Sequence, residues 1–279
     1  MFVVNGVATL AAELNNLRTK GSVGFVPTMG ALHQGHMELV RRAREQNDVV
    51  VVSIFVNPTQ FNDPNDLESY PRTLEADCAM LEQEGVDIVF APSVKEVYPE
   101  PDERIFDLGG VDQGMEGAHR PGHFNGVAQV VYRLFEMVQP TRSYFGEKDF
   151  QQVAVIRELL KSMTLQMEIV TVPIVREDTG LAMSSRNRLL EAQYLEVAPL
   201  IYGAMSEATS MVEQMSVEQV QRWVVNRINQ TGLLEVVYFE IVDALTMSPI
   251  VEWGDADIAQ GCIAVQAGSV RLIDNVRFK

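Results

Sequence analysis

Val26-Pro27-Thr28-Met29-Gly30-Ala31-Leu32-His33-Gln34-Gly35-His36 is the stretch on which the reading of this chain turns. It follows a short apolar run at 23–27 and opens a segment with helical patterning at 37–46. A strand that passes through a glycine-containing turn into a helix is the repeating unit of an open α/β sheet, and ligands bind there where the strand's carboxyl end meets the helix N-terminus. Free backbone N–H groups and the helix dipole favour phosphate at that place. Gly30 and Gly35 allow close approach of backbone to a ligand. His33 and His36, three apart, project from one side of the first turn as donors to phosphate oxygens. The plainer alternative is a pair of histidines that cap or pack the helix. A two-histidine metal site is weaker still, because no third ligand stands at a fitting spacing.

Working outward, the same alternation continues. Residues 48–56 are nearly all β-branched, as in a parallel strand buried on both faces. Residues 74–84 have helical spacing (Leu74, Cys78, Leu81) and end at Gly85, a C-terminal cap. A strand at 86–90 precedes a looser Pro/Gly/Asp stretch at 93–122. A buried helix at 127–138 stops before Pro140, a minimal strand occupies 143–145, and a helix at 149–163 carries Val153, Ile156, Leu160 and Met163 on one stripe. A strand at 168–172 closes the series. Strands alternating with helices predict a doubly wound parallel sheet. After Pro173 the texture changes to two long helical patterns, 190–215 and 216–230, then strand-like runs at 236–242, 263–266 and 270–276. The expectation is an α/β domain over residues 1–173 and a second, smaller α+β domain over 174–279.

Length allows one large domain or two modest ones: 279 residues, at about 100–200 per domain. With 47% hydrophobic and 22% charged residues the chain is neither disordered nor fibrous. No apolar run reaches the roughly 18 residues a membrane helix needs. The start, Met1-Phe2-Val3-Val4-Asn5-Gly6, lacks the marks of a secretory signal. Two cysteines, Cys78 and Cys262, build neither a disulfide framework nor a zinc site, which fits a reducing cytoplasm. The 22 basic and 38 acidic residues, net −16, argue against nucleic acid or an anionic membrane as the main partner. Small anionic substrates remain open, since fields are screened beyond about 8 Å and a few local cations outvote the global charge.

Four further segments carry chemistry. The other two histidines lie together in Gly117-Ala118-His119-Arg120-Pro121-Gly122-His123-Phe124, where His123, entering a buried helix, reads as structural. Tyr144-Phe145-Gly146-Glu147-Lys148-Asp149-Phe150-Gln151-Gln152 repeats the strand–glycine–helix logic and puts Lys148, a flexible point charge suited to phosphate, at a second sheet edge. Leu181-Ala182-Met183-Ser184-Ser185-Arg186-Asn187 offers two hydroxyls and an arginine at a helix start, with an ordinary cap as the alternative. Phe55-Val56-Asn57-Pro58-Thr59-Gln60-Phe61 places polar amides after a buried strand, or simply makes a turn.

Taken in order from Pro27 to Asn187, with Tyr70-Pro71-Arg72-Thr73 between them, these segments resemble the pantoate–β-alanine ligases (pantothenate synthetases), a family of the HIGH-motif nucleotidyltransferase superfamily. The resemblance implies a Rossmann-like N-terminal domain, a hinged C-terminal lid and a cytoplasmic homodimer. It implies a reaction in pantothenate and coenzyme A biosynthesis: pantoate and ATP with Mg²⁺ give pantoyl-adenylate and pyrophosphate, then β-alanine displaces AMP. It further implies catalytic roles for His33, His36, Lys148, Ser184, Ser185 and Arg186, which also contact ATP together with Met29, Gly146, Asp149, Val175 and Met183. Gln60, Gln152 and Met29 become the pantoate clamp. Asn57, Gln60 and Arg120 face β-alanine, and Asp77 contacts the metal. The chain departs from the family pattern at Asp178-Thr179-Gly180, where Asp is expected directly before Gly.

Such an enzyme needs no protein nucleophile, because a carboxylate attacking the α-phosphorus of a tetra-anion requires positioning and charge neutralisation. Two other readings use the same turn. One is a nucleotidyltransferase acting on a phosphate ester, which keeps nucleotide in its product. The other is a non-catalytic nucleotide-binding module, for which both histidines, Lys148 and Ser184–Arg186 would be superfluous.

Overall fold

The structure, a computed structural model, describes residues 1–62 and 64–279. Nine strands are described: β1 Phe2–Val4, β2 Val23–Thr28, β3 Val49–Ile54, β4 Ile88–Phe90, β5 Arg142–Gly146, β6 Glu168–Val172, β7 Leu234–Asp243, β8 Ala259–Ala267 and β9 Val270–Arg277. They form a six-stranded sheet in the order β1-β4-β3-β2-β5-β6 and a three-stranded sheet in the order β7-β8-β9.

Every pairing in the larger sheet is parallel, with β2 flanked by β3 (Val26↔Val52) and β5 (Phe25↔Ser143). The four valines of β3 are fully buried, which explains the unbroken β-branched run: both faces are covered by helices. Chain order runs outward from β2 through β3 to β4, then returns to β5 on the other side. The switch point therefore lies between β2 and β5, whose carboxyl ends are Thr28 and Gly146. The helix Gln34–Gln46 buries Met37, Leu39, Val40 and Ala43 in a core with Val26, Val50, Val52 and Tyr144. The helix at 127–138 in fact begins at His123, after Gly122 in the left-handed conformation (φ 80°). β1 is an edge strand with no visible pattern, three residues long and half-exposed at Phe2 and Val3.

The smaller sheet is antiparallel, with β8 in its centre and buried along almost its whole length. Val220, Val224 and Ile228 of the helix Val217–Asn229 pack with Ile241, Ile263 and Val265 of the sheet. That helix opens on a reciprocal cap in which Ser216 Oγ accepts from Gln219 N and Gln219 Oε1 accepts from Ser216 N. The single long helix expected at 190–215 is corrected to three pieces, Ala192–Val197, Leu200–Ala208 and a 3₁₀ turn Thr209–Met211. Pro199 marks the first break: it has no N–H to donate to the preceding turn, although Ala198 (φ −56°) and Pro199 (φ −58°) both keep right-handed helical backbone.

The chain divides into two compact units. The first comprises Met1–Gly109, Arg120–Glu147 and Val155–Pro173; the second comprises Gly110–His119, Lys148–Ala154 and Ile174–Lys279. One edge falls at Pro173, but residues 110–119 and 148–154 group with the C-terminal sheet, not with the 1–173 segment. Their fastening is polar. Buried Gln151 donates to the carbonyls of Val111 (3.0 Å) and Gly114 (2.9 Å) and accepts from Glu116 N (3.1 Å). The buried Glu116 carboxylate pairs with Arg271, and Asn275 donates to the Lys148 carbonyl at 3.0 Å. Nothing in apolar spacing announces such links.

Candidate active site

In the first unit, β2 delivers its chain into a turn whose backbone is bent by two successive left-handed residues, Gly30 (φ 80°) and Ala31 (φ 51°). His33 then caps the helix Gln34–Gln46: its Nδ1 accepts from Gly35 N at 3.1 Å, while His36 Nδ1 accepts from His33 N at 3.3 Å. The two rings sit 4.0 Å apart between centroids, tilted by 41°. The pair therefore caps the helix, the plainer of the two readings the sequence offered. With each Nδ1 lone pair held by an amide, a neutral ring carries its proton on Nε2.

Several backbone donors of this turn are already engaged. Gly30 N donates to Thr28 Oγ1 (3.2 Å), and Ala31 N and Leu32 N donate to the two carboxylate oxygens of Asp77 (2.9 and 2.8 Å). The amides of His33 and Gly35 serve the histidine cap. Imidazole nitrogens, not these amides, are what the turn offers an anion. Asp77, expected at a metal, is corrected: the residue is 2% exposed and also accepts from Thr73 Oγ1 at 3.1 Å. Its signal was in the sequence, four residues before buried Leu81 on the face the apolar pattern covers.

A second group surrounds Gln60. Asn57, 1% exposed, donates to Gln60 Oε1 (3.1 Å) and to the Gly126 carbonyl (3.1 Å), and accepts from Tyr98 Oη (2.9 Å) and Thr59 Oγ1 (3.2 Å). Buried and saturated, Asn57 shapes the turn and cannot face a substrate, which corrects its expected role at β-alanine. It also sets the Gln60 amide: with Oε1 held, Nε2 is the group presented, and it points at Met29 Sδ, 3.2 Å away. His123 Nδ1 donates to the Gln60 carbonyl at 2.8 Å and its Nε2 lies 3.3 Å from Arg120, which also reaches that carbonyl. His123 is thus structural, as its position suggested. Met29, Gln60 and Arg120 gather around one turn, whereas His119 lies in the other unit, stacked on Tyr238 with ring centroids 5.4 Å apart.

The second unit holds the remaining candidates. Lys148 lines a small cleft with Ser184, Asn187, Leu272 and Asp274, and its Nζ is 3.6 Å from Asp149 Oδ1. Val175 and Met183 face each other across a hairpin, Met183 N donating to Val175 O at 3.0 Å. The departure from the family pattern at 178–180 sits in this hairpin's tip, which closes normally: Gly180, at φ 92°, donates to the Glu177 carbonyl at 2.8 Å. Arg176 clamps the hairpin by pairing with buried Asp274 (2.6 and 2.9 Å) while lying 3.7 Å over the Tyr202 ring. Ser184 caps the 3₁₀ turn Ser185–Leu189, its Oγ accepting from Arg186 N, and Ser185 is buried within it. Gln152 is half-buried beside Gln151. Asn187 N donates to the Ser184 carbonyl at 3.0 Å. Its Nδ2 is held by Glu177 Oε1 (2.9 Å) and the Ala182 carbonyl (3.1 Å), leaving Oδ1 a buried acceptor without a partner among the described residues.

At Gly146, the carboxyl end of β5, an added Cβ would meet nothing within 4 Å, and φ is not positive. Neither packing nor backbone geometry explains glycine there. Among the described residues no group of three or more His, Cys, Asp or Glu is placed to hold a metal ion.

A family model described as pantoate-beta-alanine ligase matches residues 2–277. The chain is 53% identical over 281 residues to the pantothenate synthetase of Phocaeicola vulgatus, covering 100% of both sequences. It superposes on the crystal structure of pantothenate synthetase from Thermus thermophilus with a TM-score of 0.93 at 44% identity, covering 100% of this chain and 99% of that one. On the pantoate-beta-alanine ligase of Francisella tularensis, crystallised with beta-gamma ATP and beta-alanine, the TM-score is 0.83 at 35% identity, covering 100% and 98%.

Proposed function

This chain belongs to the pantoate–β-alanine ligase family, and from that membership we propose how its residues divide the work. The enzyme is a pantothenate-forming ligase that condenses pantoate with β-alanine at the expense of ATP. A pantoate carboxylate oxygen attacks the α-phosphorus, the new P–O bond forms, and pyrophosphate leaves. The β-alanine amine then attacks the acyl carbon of the adenylate, forming the amide, losing a proton and releasing AMP.

His33 and His36 donate through Nε2 to the phosphates. The ammonium of Lys148 and the guanidinium of Arg186, with the hydroxyls of Ser184 and Ser185, neutralise charge that builds on the α-phosphate and departing pyrophosphate. Asp149 takes the ribose; Met183 and Val175 take the base. The open side of Gly146 suits close approach of the nucleotide. Gln60 offers Nε2 to a pantoate oxygen, exchanging a weak thioether acceptor at Met29 for a strong one, with Gln152 as its partner in the clamp. Arg120 faces the β-alanine carboxylate. Mg²⁺ bound with ATP would supply charge neutralisation on the phosphates, alongside the imidazoles, ammonium, guanidinium and hydroxyls of this donor set. The acyl-adenylate is labile to water, and closure of the C-terminal unit over it protects it.

We place the enzyme in the cytoplasm as a homodimer. No helix among the described residues is long and apolar enough to cross a membrane, and both cysteines are free. Light scattering on the purified protein tests the dimer.

The observation carrying the mechanism is the histidine cap, which fixes two Nε2 donors at a strand's carboxyl end. Its test is pyrophosphate–ATP exchange with each substrate omitted in turn. Exchange that needs pantoate but not β-alanine is expected, with AMP appearing only when both are present. Exchange that requires β-alanine overturns the two-step route.

A further inference from the structure

The turn that carries His33 already holds an anion of its own. Successive amides around a left-handed residue form a concave nest that binds anions, and a strand-to-helix turn is where such a nest meets phosphate. Here the nest at Ala31 and Leu32 is filled by Asp77, with one oxygen per amide at 2.9 and 2.8 Å. Thr73 Oγ1 steadies the second oxygen at 3.1 Å, and Asp77 N donates to the Thr73 carbonyl at 2.9 Å. Asp77, Ala31 and Leu32 are all at most 2% exposed, so no metal ion on a bound nucleotide shares this carboxylate. A Cβ at Gly30 would approach Asp77 Oδ2 to 3.1 Å, so the carboxylate also presses the turn from beneath.

Ala31 gains nothing locally from φ 51°, a conformation that L-residues other than glycine avoid. Something must hold it there, and the two amide bonds to Asp77 are what hold it. The next residues are His33, whose extended backbone (φ −144°) is set by this turn, and His36, whose ring caps His33 N. We infer that Asp77 is a positioning residue for the two imidazoles, an internal carboxylate that locks the left-handed Gly30–Ala31 step and so aims both Nε2 atoms. The inference rests on the assignment of His33 and His36 to the phosphates.

The experiment compares full-length Asp77→Asn, Ala31→Gly, the double variant and His36→Ala in pantoate-dependent pyrophosphate–ATP exchange, with thermal unfolding as the check on folding. Asp77→Asn turns one acceptor into a donor facing an amide, and a misplaced turn is expected to lower kcat about 10–100-fold with the KM for pantoate unchanged. Ala31→Gly alone leaves exchange near normal; in the Asp77→Asn background it restores about fivefold, because glycine accepts the left-handed step without the carboxylate. Raising Mg²⁺ or substituting Mn²⁺ restores nothing. Normal exchange by Asp77→Asn, or rescue by metal without rescue by Ala31→Gly, overturns the inference. If Asp77→Asn does not fold, Thr73→Val takes its place, with a smaller fall in kcat eased by Ala31→Gly expected and an unchanged kcat refuting it. His36→Ala separates the two levels: full exchange by that variant removes the imidazole assignment itself, whatever Asp77 does.

Discussion

At the residue scale, the chemistry of this ligase rests on side chains whose donors have been oriented by neighbours. Asn57 determines which end of the Gln60 amide faces outward, and the histidine cap determines which ring nitrogens do. Gln60→Ala is accordingly expected to raise the KM for pantoate more than that for ATP in steady-state assays, since it removes a substrate donor without touching the phosphates. An unchanged KM for pantoate removes Gln60 from the clamp. Lys148→Ala is expected to depress pantoate-dependent exchange by about 10²–10³, the scale for one transition-state electrostatic donor. Near-normal exchange in that variant refutes the assignment.

At the scale of elements, the turn carrying Gln60 is held by the helix His123–Val138, and the contact point is a glycine. A Cβ at Gly126 would fall 2.3 Å from the Thr59 carbonyl oxygen and 2.9 Å from Gln60 N. Gly126→Ala must therefore push the turn and the helix apart. The expected result is a lower melting temperature together with a raised KM for pantoate, while the KM for ATP changes less; a variant that melts lower but binds pantoate normally shows that the turn tolerates the shift. This contact was invisible beforehand. The apolar pattern placed a buried helix over 127–138, but the close approach of two backbones depends on which elements meet, and no local spacing encodes that. The same holds for the break at Pro199: proline was in plain view, yet the apolar periodicity on both sides read through it as a single helix.

At the scale of the whole molecule, the first unit contains an acid-sensitive fastening. Buried Asp102 binds Arg104 Nε at 2.8 Å and Arg133 Nε at 2.7 Å, tying the segment after Tyr98 to the helix His123–Val138. The Arg104 hydrogen bond above all, opposed by burial and reinforced by Arg133, holds the Asp102 carboxyl well below the usual carboxylate range. A carboxyl whose pKa is lowered on folding contributes stability that is complete above its unfolded value, about 3.9, and is lost as pH falls below that value. Asp102→Asn is expected to lower the unfolding free energy at neutral pH by about 1 kcal/mol, since Arg104 is 39% exposed and solvent screens the pair. It should also lessen the fall in stability between pH 4 and pH 2, in the units of roughly one carboxyl. Urea titrations at several pH values measure both. Equal acid sensitivity of variant and parent rules out this carboxyl as a source.

The sequence alone was enough for the inner strands of the parallel sheet, because burial on both faces leaves an unmistakable run such as Val49–Val52, and for the chemical segments, because His-x-Gly-His after a strand and Gly-Glu-Lys-Asp before a helix are contiguous signals. Only the tertiary structure decided what those signals do to one another: that Asp77 fills the amide nest, that Asn57 is buried and saturated, and that residues 110–119 and 148–154 fold with the C-terminal sheet. The physical reason is the same in each case. Apolar burial and helix periodicity are local properties of a chain, whereas a hydrogen bond between residues 46 apart, as between Ala31 and Asp77, exists only once the fold has brought a donor within reach of its acceptor.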